Sequence, residues 1–313
     1  MIRIGIDLGG TKIEAIVLNE QGQSLFRERV PTPKASYQAT LDAIVGLIQT
    51  AVHSVQAQHG IAVEIANVEK TGIGFATPGA LSLRTGLIKN ANSTCLNGQP
   101  LDKDLGRLLG RPVKLANDAN CLVVSEAHDG AAAGASVVFG VILGTGVGGG
   151  FVINGKPIVG ANAIAGEWGH NPLPQFQAKQ TVRDDNPHMC YCGQAGCIET
   201  WLSGPGFARN ANIVEADKAI DSHEIITRMR GGDATASIAF DKYVDRLARA
   251  LASVINLIDP DVIVLGGGLS HVNELYDRVP LQWARYVFSD EIRTKLVKNI
   301  YGDSSGVRGA AWL

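Results

Sequence analysis

The run Ile2-Arg3-Ile4-Gly5-Ile6-Asp7-Leu8-Gly9-Gly10-Thr11-Lys12-Ile13-Glu14-Ala15-Ile16-Val17-Leu18 decides how the rest of the chain is read. Ile2 to Ile6 is a short apolar strand, Asp7 to Lys12 a glycine-rich turn, and Ile13 to Leu18 a second strand. Asn19 to Gly22 reads as a hairpin turn and Gln23 to Val30 as a third strand. Two familiar phosphate motifs come close and fail. Gly5 and Gly10 have P-loop spacing, but Thr11 stands where the lysine belongs, and a strand follows where a P-loop needs a helix.

The pattern starts again at Val137. Val138 to Leu143 reads as a strand, Gly144 to Gly150 as a turn and Phe151 to Ile153 as a strand; Asn154-Gly155 is a hairpin signal, and Ile158 to Gly160 closes a second meander. Gly144, Gly146 and Gly149 match the dinucleotide fingerprint by letters, but Phe151 to Asn154 continues as a strand and not as the required helix. After the first meander, apolar residues from Tyr37 to Val52 keep helical spacing, Gly72 to Phe75 is a strand, Leu101 to Leu109 a helix and Val113 to Ala116 a strand. Asn117-Asp118 then supply capping chemistry for a helix to about Ala133. After the second meander come a helix over Tyr243 to Ile258, a buried strand over Val262 to Leu265 running into Gly266-Gly267-Gly268, a strand near Leu296 to Ile300 and a C-terminal helix. The repetition predicts a duplicated α/β fold with a ligand cleft between the copies. The expected domains are 1–117 together with the C-terminal helix near 302–313, and 118–301.

A length of 313 residues is enough for two cores, and 45% apolar with 19% charged residues is an ordinary globular balance. A formal net charge of −2 gives no electrostatic reason to expect nucleic acid or an acidic membrane as partner. The 37 glycines cluster, which points to tight turns and close backbone approach. A strand-like start without a signal-peptide succession, together with few cysteines, leads us to expect a cytoplasmic location.

Both hairpin turns suit a backbone grip on phosphate. Glycine N–H groups of Gly9, Gly10, Gly144 and Gly146 would point at β- and γ-phosphates while Thr11 and Thr145 donate hydroxyls. Asp7, at the end of its strand, would anchor water on Mg²⁺. Lys12 either neutralises phosphate or is an exposed hairpin lysine. Gly266, Gly267 and Gly268 would let a nucleotide lie on bare backbone, or they form a tight strand-to-helix turn. Phosphoryl transfer needs positioning, a metal and a base for the attacking hydroxyl. Asp118 is the best base, held at a helix N-terminus, with an ordinary N-cap as the alternative. Asn117 can both donate to and accept from a sugar hydroxyl.

Three of five cysteines, Cys190, Cys192 and Cys197, fall within eight residues, and His170 lies twenty positions upstream. Three thiolates and one imidazole close a tetrahedral structural zinc site. Free thiols leave the clustering unexplained, and a disulfide suits a reducing compartment poorly. Glu167 and Glu199 flank these ligands, so a closed site would present two carboxylates to a hydroxyl-rich ligand.

Together Asp7-Leu-Gly-Gly-Thr-Lys12, Pro78-Gly79, Asn117-Asp118, Leu143-Gly-Thr-Gly146, Glu167-Trp-Gly-His170, the Cys-x-Cys-Gly-x-x-Gly-Cys-x-Glu run ending at Glu199, and Gly266-Gly-Gly268 resemble the ROK family (repressors, open reading frames and sugar kinases). Asn90-Ala-Asn-Ser-Thr94 and Leu96-Asn-Gly-Gln-Pro100 look most like the bacterial fructokinases that also accept mannose. The resemblance implies an actin-like, two-lobed ATPase fold, usually dimeric, binding ATP with Mg²⁺. It implies that Asp118 deprotonates the sugar hydroxyl, that Gly79, Asn92, Asn117, Glu167, His170 and Glu199 contact the sugar, and that His170 also ligates zinc with the three cysteines. The expected reaction is phosphorylation of fructose to fructose 6-phosphate. Glucose, an N-acetylhexosamine and allose are alternatives that sequence does not separate. A sugar-responsive repressor is disfavoured because no helix-turn-helix precedes Asp7, and intact Asp118 and phosphate turns argue against a binder without turnover. Asn171 to Met189 is longer than in many relatives and reads as a surface loop or lid.

Overall fold

In a computed structural model, which describes residues 1–33, 36–91, 93–175, 187–215 and 218–313, the opening run forms two antiparallel strands, Ile2–Leu8 and Lys12–Leu18. Ser24–Pro31 pairs antiparallel with the second, while Thr71–Thr77 joins the first in parallel and Lys114–Asn117 joins Thr71–Thr77 in parallel. The chain divides into two units: Met1–Gly134 with Gly155–Ala165 and Ile300–Leu313, and Ala135–Asn154 with Gly166–Asn299.

Alternation explains the first unit. Ile4, Ile6 and Leu8 point to one side of the sheet, where they form a core with Leu41, Ile44, Leu47 and Ile48 of helix Tyr37–His59 and Leu101 and Leu105 of helix Leu101–Leu109. Gly5 faces the other side, where a Cβ would lie 2.0 Å from the Val307 carbonyl oxygen; one on Gly74 would lie 2.1 Å from that of Ala310. The C-terminal helix Ser305–Trp312 therefore rests directly on sheet backbone. These glycines do packing work that the sequence reading did not assign to them.

Helix Asp118–His128 packs beneath that C-terminal helix, so the boundary expected at 117/118 falls instead after Gly134. This helix also stops five residues short of the expected Ala133. The fully buried Glu126 carboxylate accepts hydrogen bonds from the N–H groups of Ala131, Ile300 and Tyr301 and from the Ser305 hydroxyl. It thereby satisfies backbone donors near two of the places where the chain passes between units, before Ala135 and after Asn299.

The second unit repeats the plan. Val137–Leu143 pairs antiparallel with Val147–Ile153 and parallel with Val262–Gly266, which pairs parallel with Lys295–Lys298. The turn is thus only Gly144–Gly146, and Val147 to Gly150, expected as turn, are strand. The expected strand at Ile158 to Gly160 is reduced to Lys156–Pro157, where proline supplies no N–H. Helix Ala234–Ile258 begins nine residues before its periodic signal. Its first turns are alanine-rich, and the Asp233 side chain caps it by accepting from Ala236 N–H at 2.9 Å. Among the described residues no helix is long and apolar enough to cross a membrane.

Candidate active site

In the first unit Asp7 lies at the end of its strand, opposite Glu14 in the register. Its carboxyl is pushed up to about 7, first by burial, then by the charges of Asp118 and Glu14, with Lys12 and Arg29 pulling the other way. Asp118 opens helix Asp118–His128, and Asn117, not Asp118, is its N-cap. The Asn117 Oδ1 accepts from Asn120 N–H at 2.8 Å, so the group this cap leaves for a ligand is the amide NH₂, a donor. Asp118 Oδ1 accepts from Ala119 N–H at 2.8 Å. The side chain is accessible to solvent, yet the protein around it hydrates it poorly and raises its carboxyl above the ordinary range, against the pull of that N–H. Burial pushes the Cys121 thiol up as well, with Asp7 and Asp118 adding to the effect, so it stays neutral behind the two carboxylates.

The first glycine turn differs from the expected grip in one respect. Gly9 N–H is spent inside the turn on the Lys12 carbonyl at 3.0 Å. Gly10, Thr11 and Lys12 are exposed and remain available. Thr32, which the sequence reading missed, pins the turn: its hydroxyl donates to the Gly9 carbonyl at 2.7 Å and its N–H to the Thr11 carbonyl at 3.1 Å. Gly79 has φ +75°, and a Cβ there would meet the Lys89 carbonyl oxygen at 2.3 Å, so it is glycine where two segments cross. Asn92 lies outside the described residues. The flanking Ala91 is held at both its N–H and carbonyl by the Asn97 side chain, each at 2.9 Å.

The second turn is built alike. Gly144 N–H closes it onto the Gly146 carbonyl at 3.0 Å, so this donor too turns inward, while Thr145 is exposed. The Gly144 carbonyl accepts from Gly204 N–H at 2.8 Å, bringing the start of helix Gly204–Ala211, capped by Ser203, against the turn. Gly267 has φ +80°, and a Cβ on it would lie 2.6 Å from the Leu143 carbonyl oxygen; the Gly266–Gly268 run therefore lies beside Gly144–Gly146. Glu199 reaches the same turn. Its Oε2 accepts from Val147 N–H at 3.0 Å and would lie only 2.7 Å from a Cβ on Gly146.

The other oxygen of Glu199 lies 3.9 Å from Cys190 Sγ. That sulfur belongs to the cluster read from the sequence. The donor atoms of His170, Cys190, Cys192 and Cys197 all lie within 4.8 Å of one another. His170 Nδ1 is 3.5 Å from Cys190 Sγ, and Cys192 and Cys197 Sγ are also 3.5 Å apart. A disulfide needs about 2.05 Å, whereas edges of about 3.3–3.8 Å are those of a tetrahedron around zinc. The donor set fits that ion, and the two 3.5 Å separations match such edges.

Backbone holds the cluster together. Pro172 bridges to Cys197, Ile198 N–H donates to the Asn171 carbonyl at 2.8 Å, and Cys190 N–H to that of Gln194 at 2.8 Å. Glu167-Trp168-Gly169-His170 lies on strand Val147–Ile153, with Trp168 Nε1 donating to the Gly148 carbonyl at 3.1 Å. Most of the segment expected as a lid, including Asp184 and Asp185, lies outside the described residues. Tyr191, given no role from the sequence, meets His170: its hydroxyl is 3.0 Å from Nε2. Although the side chain is largely exposed, the protein packed around its hydroxyl raises the phenol to about 12, with the charges of Glu199 and then Glu167 adding to the effect. The only signal in the sequence was its position between two clustered cysteines.

Comparison with known proteins agrees over the whole chain. A sequence model described as ROK family matches residues 3–313. The chain is similar to an N-acetyl-D-glucosamine kinase of Pectobacterium atrosepticum, 39% identical over 310 residues, covering 99% of this chain and 97% of that protein. Among solved structures it is similar to a ROK hexokinase from Thermus thermophilus, with TM-score 0.81 and 31% identity, covering 100% of this chain and 97% of the other. It is also similar to a ROK family glucokinase from Streptomyces griseus in complex with glucose and AMPPNP, with TM-score 0.73 and 28% identity, covering 99% and 98%.

Proposed function

The chain belongs to the ROK family and is an ATP-dependent sugar kinase; on that premise we propose that its acceptor is N-acetyl-D-glucosamine and that Asp118 is the base. One observation supports the base most directly: a solvent-accessible carboxylate stands at the first position of a helix with its basicity raised above that of an ordinary aspartate. Oδ1 is occupied by Ala119 N–H, so Oδ2 takes the proton as the sugar hydroxyl attacks the γ-phosphorus and ADP leaves with the bridging oxygen. Asn117 offers its amide to a neighbouring hydroxyl. Glu167, His170 and Glu199 would supply further hydroxyl contacts.

For the nucleotide, the available groups are the N–H groups of Gly10, Thr11, Thr145 and Gly146, the two threonine hydroxyls, Lys12, and the backbone at Gly266–Gly268. Asp7 would anchor water on Mg²⁺, which neutralises phosphate charge when bound. His170, Cys190, Cys192 and Cys197 would hold zinc, whose contribution is to stiffen the loop that carries Glu167 and Glu199.

Fructose, the acceptor expected from Asn90 to Pro100, has weaker support than the N-acetylated sugar, because a relative named for the latter matches along nearly the whole chain. A coupled assay across N-acetyl-D-glucosamine, glucose, mannose and fructose tests the proposal. The highest kcat/KM is expected for N-acetyl-D-glucosamine. A higher value for fructose would restore the fructokinase reading, and no turnover with any hexose would reject the kinase reading.

A further inference from the structure

Tyr191 is 83% exposed, and its ring stands outside the thiol cluster formed by its neighbours Cys190 and Cys192. The ring is nonetheless held in a definite place. Its hydroxyl is 3.0 Å from His170 Nε2, and it meets the imidazole edge-on, with centroids 5.1 Å apart and planes at 88°. His170 has two ring nitrogens with separate surroundings. Nδ1 faces Cys190 Sγ at 3.5 Å and so belongs to the thiol side. Nε2 is the outward atom, the one able to reach a sugar hydroxyl, and it is the atom Tyr191 engages. A ring nitrogen presents one hydrogen-bonding position in the ring plane, so a phenol and a sugar hydroxyl cannot both hold it well.

We propose that Tyr191 competes with the acceptor sugar for Nε2 of His170 and thereby sets the affinity for that sugar. This rests on the reading of Glu167, His170 and Glu199 as sugar ligands. An entering hydroxyl replaces the phenol, and the exposed ring rotates away toward solvent with little packing to lose. Tyr191 is then a residue that tunes binding and takes no part in proton transfer. Its hydroxyl exacts from every acceptor the loss of one hydrogen bond.

Tyr191→Phe keeps the ring and removes only the competing group, at a surface position where the fold tolerates the change. We expect the sugar KM, and the Kd measured by calorimetry, to fall about two- to tenfold, the worth of one such hydrogen bond. The kcat, the KM for ATP and the zinc content should stay unchanged. A purely structural role would instead lower the melting temperature or the zinc content and would not tighten sugar binding. A higher sugar KM in the variant would mean that the phenol contacts the sugar itself, and an unchanged one that it competes for nothing; either overturns the proposal. A wild type that binds none of the four hexoses would remove the underlying sugar-ligand reading, an outcome visible before the variant is measured.

Discussion

Gly309 and Cys121 meet main chain to main chain: a Cβ on Gly309 would lie 1.7 Å from the Cys121 carbonyl oxygen. Cys121 is in the first turn of the helix that Asp118 opens, so the C-terminal helix bears directly on the element holding the proposed base. Gly309→Ala must force the two helices apart. The expected cost is at least about 1–3 kcal/mol, as for other overpacked cores, with lower turnover because Asp118 moves. Gly46→Ala is the contrasting change: nothing lies within 4 Å of its Cβ, and it sits inside helix Tyr37–His59. It should stabilise the protein by about 0.5–1 kcal/mol. Thermal melts of the two variants would check the pair.

Asp118→Asn keeps the side-chain shape and the hydrogen bond from Ala119 N–H while removing the base. Turnover should fall by roughly 10²–10⁴ while sugar binding measured by calorimetry survives. Near-normal turnover would reject the assignment.

The Asp7 carboxyl titrates near 7 in the folded protein and near 3.8 in the unfolded chain. Between these values the folded state keeps a proton that the unfolded chain has lost. The neutral acid therefore favours folding at low pH, and that contribution disappears as pH rises through about 7. Asp7→Asn cannot acquire the poorly hydrated charge. Its melting temperature should exceed that of the wild type by a few degrees at pH 8 and match it near pH 4, while activity is lost. Equal differences at both pH values would show that the charge is not strained.

Protein prepared without chelator should contain about one zinc per chain, and Cys192→Ala or Cys197→Ala should lose it, as the four-ligand geometry requires. Cys121→Ala, far from the cluster in sequence and behind Asp118, should retain it. Metal analysis of the three variants separates a specific site from general thiol binding.

Local patterns made much of this legible in advance. Strand alternation from Ile2 to Leu18 and its echo from Val137 gave the duplicated plan, and the spacing of His170, Cys190, Cys192 and Cys197 gave the cluster. What stayed hidden depends on residues distant in sequence. The Glu126 carboxylate, near the end of the helix that stops at His128, is committed to Ile300, Tyr301 and Ser305. Gly5 stands out only for a P-loop spacing that fails, and Gly74 has no role in the sequence reading beyond its strand; their purpose appears only once the C-terminal helix lies on them. The inward use of Gly9 and Gly144 N–H groups depends on which way a turn closes, which residue identity does not encode. Fructose was inferred from a short stretch around Asn90 to Pro100, too little to fix hydroxyl contacts made elsewhere.

Glu199 meets the Gly144–Gly146 turn, proposed above to hold nucleotide, with one oxygen and lies 3.9 Å from Cys190 Sγ with the other, so the two proposed sites would share a mechanical link only one carboxylate long. Thermodynamic linkage then imposes a reciprocity. If stripping the metal loosens Glu199 and weakens the hold on nucleotide, bound nucleotide must by the same factor strengthen the hold on the metal. A kinase saturated with ATP would resist a chelator that empties the resting enzyme.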